Sequence, residues 1–599
     1  MGADVLAERA KIAAGTLQRW AEVPPAEWQT ALQHLAMLLS TGSHQPAEAA
    51  RAAGAVTSLA ALLQLPPSQL PHETARRVAW ALELLVNGSP DAAREVSVTA
   101  TPAIASRLAA ALTAAGAAGA GRVDAGVEPS RDEELLLADQ LTAVLGSTAA
   151  WGPEHQGTLL AQGAAAPVLQ LLLATVDAAC SPQAAPEELR GSQTESMAIE
   201  PQQQQQTPQQ AAESPATRCC ATALWALGML VRGRGEEALQ LTLQPALLTG
   251  LRRMLLQPST SPSLLREAAW LLAFISAAGG PDAAAALVEG GGLLPGLLLS
   301  TMRYAQRAAA FSSDDPAASE AAQPLHQALL PLLAALANLA AEPRQTPLVL
   351  AELQAARPLP ATPPAASGGS AGPPPAAAGH DVVSASGMQA VVACLGGRVG
   401  HRGVVRGAAA LAAALAWGAC RSGSVTLDAV RSALGDAGVV GALVEVLRSA
   451  ALDIRKEAAA ALTSLCQGAA AAEGGGVPGS GGAAVAGPDT LDMLRSLGIH
   501  KGRDEHGVLA AFLGLLRSPD ADAVHAGLRF VTLVLGGLKR GPQLVESLDG
   551  IDALEAVQYG TSGCRVPELQ AWAEELVDLH YGEEYGEGDD EDGDEIEGM

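Results

Sequence analysis

The side chains that could carry out catalysis are scattered along this chain and do not fall into known catalytic motifs. His500 and His506 flank the segment KGRDE, but no cysteine or third histidine lies nearby, so their spacing does not indicate a metal site. The sequence contains no GxxxxGK[ST] phosphate-binding loop and no HExxH zinc motif. We therefore predict that the protein is not an enzyme and that it uses no cofactor and no metal ion.

The cysteines stand at positions 180, 219, 220, 394, 420, 466 and 564, an odd number without a CxxC spacing. Most of them fall in apolar helical stretches, where a free cysteine behaves as a small hydrophobic residue. The N-terminal stretch MGADVLAERAKIAAG has early acidic residues and lacks the apolar core of an export signal. These features indicate a reducing compartment, and we expect the protein in the cytoplasm, the nucleus or both.

The chain is strongly acidic, with a net charge of −26 over 599 residues. Ten of its carboxylates lie in residues 583–599, EEYGEGDDEDGDEIEGM, which we interpret as an acidic tail. An acidic surface repels phosphate backbones, so we expect no nucleic acid among the partners. Basic peptides or basic proteins are the partners that this charge favours.

Two apolar runs, residues 328–341 and 407–420, are the longest candidates for a membrane span. A transmembrane helix needs about 20 consecutive apolar residues, and each of these runs has only about 14. We therefore expect buried helices at both places and no membrane among the partners.

Alanine and leucine supply most of the apolar residues, which favours helices, and two kinds of helix alternate along the chain. The first is a leucine-rich helix, predicted at residues 54–65, 163–174, 437–449 and 506–518. The second carries alanine or tryptophan and ends at a glycine, and it is predicted at residues 73–88, 217–233, 264–280 and 453–468. In the last of these helices Asp453 is predicted to cap the first turn.

Stretches rich in Gly, Pro, Ser, Gln or Ala interrupt these helices. We predict that five of them are disordered insertions: residues 114–132, 178–217, 303–325, 354–388 and 469–490. When the insertions are set aside, the second kind of helix recurs every 40–48 residues or so. The positions used to measure this spacing are Trp80, Trp225, Trp270, Ala334, Leu411, Ala460 and Phe530.

A helical repeat of this length is the signature of armadillo and HEAT proteins. We therefore predict an all-α, right-handed superhelical solenoid of about eight repeats over residues 27–548, after a helical or flexible segment at residues 1–26. One repeat cannot bury its apolar face alone, so neighbouring repeats stack into a continuous core. The third helix of every repeat then lines a concave groove, where we expect the function to lie.

The segments DGIDALEAVQYG (549–560) and PELQAWAEELVDLHYGEEYGEGDDED (567–592) form a helical repeat that runs into an acidic tail. They resemble the last repeat and acidic tail of importin-α, the armadillo receptor for nuclear localisation signals. LREAAWLLAFISAAG and ATALWALGMLVRG resemble its middle repeats, and DIRKEAAAALTSLCQG resembles a late repeat. The resemblance spans nearly the whole chain except the insertions and the first 25 residues. It implies a terminal capping repeat at residues 549–582.

The resemblance also implies which residues bind a peptide. In the family, Trp and Asn four residues apart form ladders along the groove, in which the amide holds the peptide backbone and the indoles hold Lys or Arg side chains. In this chain Trp80, Trp225 and Trp270 occupy Trp positions. Their partner positions hold apolar residues in place of Asn, namely Leu84, Met229 and Phe274.

The later repeats match the ladder less well. Leu411 with Leu415, and Ala460 with Ser464, stand where the family has Trp with Asn. Asn338 occupies an Asn position, and the Ser464 hydroxyl could bond to a peptide carbonyl. The alternatives are that the tryptophans pack in the core, that Asn338 faces water or bonds to a neighbouring helix, and that Ser464 bonds back to its own turn.

The resemblance implies partners as well as a groove. Basic cargo would occupy the groove, transport receptors or an export factor could bind at the C-terminal end, and the protein would be a monomer. The family's basic segment for importin-β has no counterpart in residues 1–26, whose cations are Arg9, Lys11 and Arg19. We expect an adaptor that holds an extended basic peptide. The alternative is an armadillo scaffold that binds proteins without reading classical nuclear signals.

Overall fold

The computed structural model describes residues 3–119, 130–181, 214–232, 236–311, 316–360, 382–396, 401–422, 425–467, 488–499 and 507–582. It is mostly helical and divides into two compact units, residues 1–300 and residues 301–599. Parts of all five predicted insertions, at 120–129, 182–213, 312–315, 361–381 and 469–487, lie outside the described residues, as does the acidic tail at 583–599.

The helices of the first unit follow one another with short connections. They are α1 (Ala3–Gln18), α2 (Pro25–Leu39), α3 (His44–Ala52), α4 (Ala55–Leu63), α5 (His72–Gly88), α6 (Pro90–Glu95), α7 (Thr101–Gly119), α8 (Arg131–Ala150), α9 (Pro153–Ala161), α10 (Ala165–Ala179), α11 (Pro215–Val231), α12 (Glu236–Thr242), α13 (Pro245–Leu256), α14 (Pro262–Ala278), α15 (Gly280–Ala285) and the start of α16 (Leu294–Ala309). Short π-helical turns at Val96–Ala100 and Ala286–Gly290 follow α6 and α15.

Four of these helices, α5, α8, α11 and α14, form a row in which each packs against the next. Three of them are the alanine- and tryptophan-bearing helices predicted at 73–88, 217–233 and 264–280, and the structure confirms those predictions. In α5, for example, Val78, Leu82 and Leu85 are fully buried because they recur on one helix face. The opposite face of these helices is less buried, and Trp80 of α5, Trp225 of α11 and Trp270 of α14 are half-buried on it.

The predicted N-terminal segment is helical over most of its length. Ala10, Ala14 and Leu17 of α1 are completely buried, and α1 packs against α2 and α3. Helix α1 therefore covers the apolar side of the first repeat, as a terminal repeat of a solenoid requires.

The second unit has the same construction. After α16 it contains α17 (Pro316–Ala341), α18 (Thr346–Gln354), α19 (Gly387–Leu395), α20 (Arg402–Arg421), α21 (Leu427–Asp436), α22 (Val439–Ser449), α23 (Leu452–Cys466), α24 (Pro488–Ser496), α25 (Val508–Leu516), α26 (Ala521–Gly537), α27 (Gly541–Glu546), α28 (Gly550–Gln558) and α29 (Pro567–Tyr581). Here α17, α20, α23, α26 and α29 form the row. The core beneath it includes Phe512 and Phe530, whose rings stack with centroids 3.7 Å apart.

All five predicted insertions have margins that belong to helices or strands in the structure, and two of them differ most. Residues 303–309 and 316–325 are helical, because Tyr304, Ala308, Ala322 and Leu325 are buried in the packing of α16 and α17. The ends of the predicted loop at 354–388 form an antiparallel pair of strands, β1 (Ala356–Pro360) and β2 (Val382–Ser386), with Ala356 opposite Ser386. The predicted disorder was therefore wrong for these margins.

Three stretches, at residues 90–117, 319–341 and 402–421, are long and apolar enough by length and composition to cross a membrane. Two bent helix pairs, α9 with α10 and Gly280–Gly290 with α16, meet the same test as pairs. The stretches at 319–341 and 402–421 are longer than the apolar runs at 328–341 and 407–420, because the helices continue beyond those runs through small and polar residues. Leu329 and Leu333 of α17 and Leu411 and Leu415 of α20 are buried where these two helices pack together.

Helix α8 begins with a capping box, which offers a test of its stability. The Ser130 hydroxyl accepts a bond from the Glu133 backbone N–H at 3.3 Å, and the Glu133 carboxylate accepts one from the Ser130 N–H at 2.9 Å. Ser130→Ala should lower the opening free energy of the first turn of α8 by about 1 kcal/mol, measured by hydrogen exchange. The control Thr158→Ala removes only a bond to the Glu154 carbonyl within α9, and we expect a smaller change.

Candidate functional site

Trp225 of α11 and Trp270 of α14 line one recess on the face that these adjacent helices leave open. Its volume is about 380 Å³, and both indoles are half-buried. The recess is lined by Leu224, Trp225, Gly228, Met229, Arg232, Glu267, Trp270 and Phe274. The structure thus brings together two of the predicted Trp positions with the Met and Phe that replace their Asn partners.

Trp225 is held in place from behind by α8. A Cβ atom at Gly146 would lie 2.3 Å from Cζ3 of the Trp225 ring, so the indole packs directly on the Gly146 backbone. Any larger residue at position 146 would displace the ring. Trp225 therefore serves two purposes, because it packs between helices and also lines the recess.

Trp270 is positioned by a residue of its own helix. Its ring stacks on Phe274 with centroids 5.5 Å apart and an angle of 21° between the planes. Phe274 in turn lies over Gly228 of α11, where a Cβ would come within 3.3 Å of its ring. The result is a continuous aromatic wall, where the ladder of the resembling family would have a polar amide.

One acidic side chain faces the recess. Glu267 is only 9% exposed and lies one turn before Trp270. Burial raises the pKa of Glu267, and the adjacent Arg266, whose Nε donates to Oε1 at 2.7 Å, opposes that shift. A cation entering the recess would meet aromatic faces and this carboxylate.

The other predicted site residues do not join this recess. Trp80 and Leu84 are half-buried on α5, which is two helices away from α11 in the row. Asn338 on α17 and Ser464 on α23 are half-buried in the second unit. Each of these residues lies on a helix of the predicted row, and its role in binding stays a prediction.

The predicted ladder positions on α20 were wrong by one residue. Leu411 is 0% and Leu415 1% exposed, so both belong to the core. The open face of α20 carries Ala410 and Ala414 in their place. Phe530, which was used to measure the repeat length, is likewise buried, and the open face of α26 carries Arg529.

The sequence reasoning did not single out Trp417. This residue is 41% exposed, and the Arg421 guanidinium carbon lies 5.8 Å from its ring centroid. Trp417 follows Ala410 by seven residues, or two helical turns, so a correct phase for α20 would have placed it on the open face.

Apart from Trp417, the open faces of α20 and α23 carry mainly charged side chains. Arg402 on α20 donates to Asp453 on α23 at 2.9 Å, Arg406 donates to Glu457 at 3.1 Å, and Lys456 lies 2.8 Å from Asp520. Asp453 therefore pairs with Arg402 and does not cap α23, whose N-cap residue is Ala451.

A second recess, of about 320 Å³, opens among these ion pairs. Lys456 and Glu457 line it together with Thr463, His525 and Arg529. Because cations and carboxylates alternate along this surface and pair with one another, it offers little net attraction to a basic peptide.

The described residues contain no group of three or more His, Cys, Asp or Glu side chains that could hold a metal ion. All seven cysteines are free, and six of them are buried. Burial raises the pKa of the Cys219 thiol well above its usual value, so it is a poor nucleophile. His500 and His506 lie outside the part of the chain that the structure describes.

Comparison with known proteins agrees with this architecture. The family model for the armadillo/beta-catenin-like repeat matches residues 428–467, which hold α21, α22 and α23. Importin subunit alpha-9 of Arabidopsis thaliana is 26% identical over 561 residues, covering 93% of this chain and 80% of that protein. Over most of its length the chain is thus similar to an importin alpha subunit, and residues 428–467 match an armadillo repeat. Importin subunit alpha-2 of Oryza sativa subsp. japonica is 34% identical over 146 residues, 24% of each chain.

Solved structures support the fold of this importin-alpha-like protein. The crystal structure of an engineered protein matches this chain with a TM-score of 0.55 at 17% sequence identity. The match covers 94% of this chain and 98% of the engineered protein, and it shows a shared fold alone. The predicted all-α armadillo solenoid is confirmed, as is the resemblance to importin-α. Similarity to importin subunits and to the armadillo repeat supports a protein-binding role for the chain.

Proposed function

We propose that this protein is a nuclear import adaptor that carries cargo proteins between cytoplasm and nucleus and holds a basic peptide of the cargo in the recess between α11 and α14. The observation that carries the proposal is the meeting of Trp225 and Trp270 beside the buried Glu267 carboxylate. Indole faces attract ammonium and guanidinium groups, and their flat surfaces accommodate the aliphatic stems of Lys and Arg. The similarity to importin subunits over most of the chain supports the same role.

The recess recognises side chains better than it recognises a peptide backbone. Met229 and Phe274 cannot exchange hydrogen bonds with a backbone amide, whereas Asn can both donate and accept. Each missing clamp is worth about 1 kcal/mol net, so the loss of three, including the one at Leu84, weakens binding by roughly a hundredfold. We therefore expect dissociation constants of about 1 μM or more for a lysine-rich peptide, rising with salt.

Fluorescence anisotropy with a labelled lysine-rich peptide tests the proposal directly. The expected result is saturable binding that weakens as the salt concentration rises, with no binding of a peptide in which glutamine replaces each lysine. A lysine-rich peptide that binds no better than its glutamine counterpart would contradict the adaptor function.

Met229→Asn should strengthen this binding. It places an amide on the open face, four residues after Trp225, where it can hold the peptide backbone, and we expect about fivefold tighter binding. Met37→Asn makes the same chemical change at a residue that is 57% exposed on α2 and should leave binding unchanged. Phe274→Asn is a poorer choice, because it also removes the stack on Trp270. Equal affinities of Met229→Asn and the wild type would show that the peptide backbone does not pass this position.

The alternative function is a scaffold that uses the armadillo surface for other protein contacts. The ion pairs from Arg402, Arg406 and Lys456 favour it, because cations paired with carboxylates on the open face of the second unit leave that face little attraction for a basic signal. Affinity capture from the source cell distinguishes the two. Transport receptors or an export factor among the partners, bound at the C-terminal end, would support the adaptor, whereas their absence would favour the scaffold.

A further inference from the structure

Arg232 places a cation of the protein itself against the aromatic wall of the recess. It is the C-cap residue of α11, and its backbone N–H donates to the Gly228 carbonyl at 3.0 Å. Its guanidinium carbon lies 5.8 Å from the centroid of Phe274, which is within the range of a cation–π contact. Arg232 is exposed, so this side chain is free to move away into solvent.

The nearby arginines differ from Arg232 in their partners. Arg218 of α11 donates to Asp139 at 3.0 Å, and Arg266 of α14 to Glu267 at 2.7 Å. Among the side chains that the structure describes, which do not include those of Glu236 and Glu237, no carboxylate lies within ion-pair distance of Arg232, and the Arg232 guanidinium contacts the Phe274 ring. The aromatic wall is therefore the feature that attracts this guanidinium.

We propose that Arg232 is a resident cation that competes with the incoming Lys or Arg side chain and thereby sets the affinity and selectivity of the recess. This proposal rests on the proposed function, since it assumes that the ligand group is a basic side chain. A ligand cation gains the aromatic face only when Arg232 leaves it, and two positive charges so close together repel. Peptides that engage Glu267 as well as the ring are favoured over those that engage the ring alone.

The decisive variants remove the guanidinium or change its shape. Arg232→Gln should bind a lysine-rich peptide about two- to fivefold more tightly, the fold-change that corresponds to one exposed cation–π contact. Arg232→Lys keeps the charge but loses the flat guanidinium, and its affinity should fall between those of the wild type and Arg232→Gln.

Removing any positive charge favours a basic peptide slightly, so a charge-matched control is needed. Arg252→Gln changes the net charge equally at an exposed residue of α13 that does not line the recess. We expect little effect from it at 0.15 M salt and none at 0.5 M, where long-range interactions are screened. The gain from Arg232→Gln should persist at 0.5 M salt. Equal affinities of Arg232→Gln and Arg252→Gln would overturn the proposal.

A second measurement does not depend on peptide binding. The indole N–H resonance of Trp270, assigned with Trp270→Phe, is followed by NMR while n-butylammonium is added to the full-length chain. It should shift at about two- to fivefold lower concentration in Arg232→Gln than in the wild type. If no basic peptide binds but this difference is seen, the proposed import function fails and the competition by Arg232 stands. Identical titrations of the two proteins would refute the competition, whatever the peptide does.

Discussion

Replacing both tryptophans of the recess, Trp225→Ala with Trp270→Ala, should weaken binding of a lysine-rich peptide by at least about fivefold and by up to about 1,000-fold. Each indole contributes about 0.5–2 kcal/mol to holding a cation, so the pair accounts for roughly a 5- to 1,000-fold change in affinity. Starting from a dissociation constant of about 1 μM or more, the double variant moves toward millimolar values. Fluorescence anisotropy with the labelled peptide measures this change.

Stability has to be separated from binding in this experiment. Trp225 packs on Gly146, so its truncation leaves a void and costs stability, whereas Trp225→Phe fills more of that space. Trp417→Ala is the matched control, because it removes an exposed tryptophan of another helix and should leave peptide affinity unchanged. A double variant that melts early yet binds the peptide as before would assign these indoles to the core, and the scaffold function would then stand.

The sequence was sufficient to predict a helix and its buried face wherever one face of the helix is apolar and the other is polar. In α14, Arg266 and Trp270 alternate with Leu264, Leu271 and Ile275, and this contrast fixes which residues are buried. Trp270 and Trp225 were predicted to face the groove from the positions they hold in the resembling family and from their matched distances to a terminal glycine. The structure places both, half-buried, at one recess.

The phase of α20 could not be determined in the same way. Its sequence GAAALAAALAWGAC has alanine on every side, so polar and apolar faces do not differ, and an error of one residue exchanged Ala410 for Leu411. Long-range pairing was equally hidden. Asp453 looked like a helix cap because nothing local reveals its bond to Arg402, which is 51 residues away in the chain.

Which side chains meet at the recess depends on how closely α11 and α14 approach each other. Gly228 lets Phe274 lie over α11, and only this approach brings the ring within reach of Arg232. A sequence shows the glycine but not which neighbour fills the space above it. The presence of aromatic residues at the site was therefore predictable, whereas their combination with a resident cation was not.

The second large prediction concerns a buried cluster in the first unit that consists of Arg107, Glu134 and His72. Arg107 of α7 is 6% exposed and donates to the backbone carbonyls of Leu65 at 3.1 Å and Leu70 at 3.3 Å. Glu134 of α8 is 3% exposed, and its Oε1 lies 3.2 Å from Nε2 of His72. Burial raises the pKa of Glu134 to about 7, and Arg107 opposes that shift. Burial, and then the charge of Arg107, lower the pKa of His72.

Arg107→Met should destabilise the first unit by about 3–5 kcal/mol at pH 8.5, because it leaves the Leu65 and Leu70 carbonyls without the guanidinium donor and removes a positive charge that favours the ionised Glu134 carboxylate. The loss should be smaller at pH 5.5. A carboxyl group whose folded pKa is raised contributes stability that is present below its unfolded pKa and is lost as the pH rises through the folded pKa. Without Arg107 the folded pKa of Glu134 moves above about 7, so this loss extends to higher pH.

The titration of His72 also makes the stability loss caused by Arg107→Met smaller at pH 5.5 than at pH 8.5. A histidine with a lowered folded pKa loses stability as the pH falls below its unfolded value of about 6.5, and removing Arg107 relieves that loss by letting the histidine charge more easily. Hydrogen exchange of α5 and α8 in the full-length chain, at pH 5.5 and 8.5 with intrinsic rates corrected, measures the difference. Arg94→Met removes a cation with a 63% exposed side chain that lies near Asp91, and we expect less than about 0.5 kcal/mol at either pH. An effect of Arg107→Met that does not change with pH would show that Glu134 is not coupled to Arg107, and its cost would then come from the two carbonyls alone.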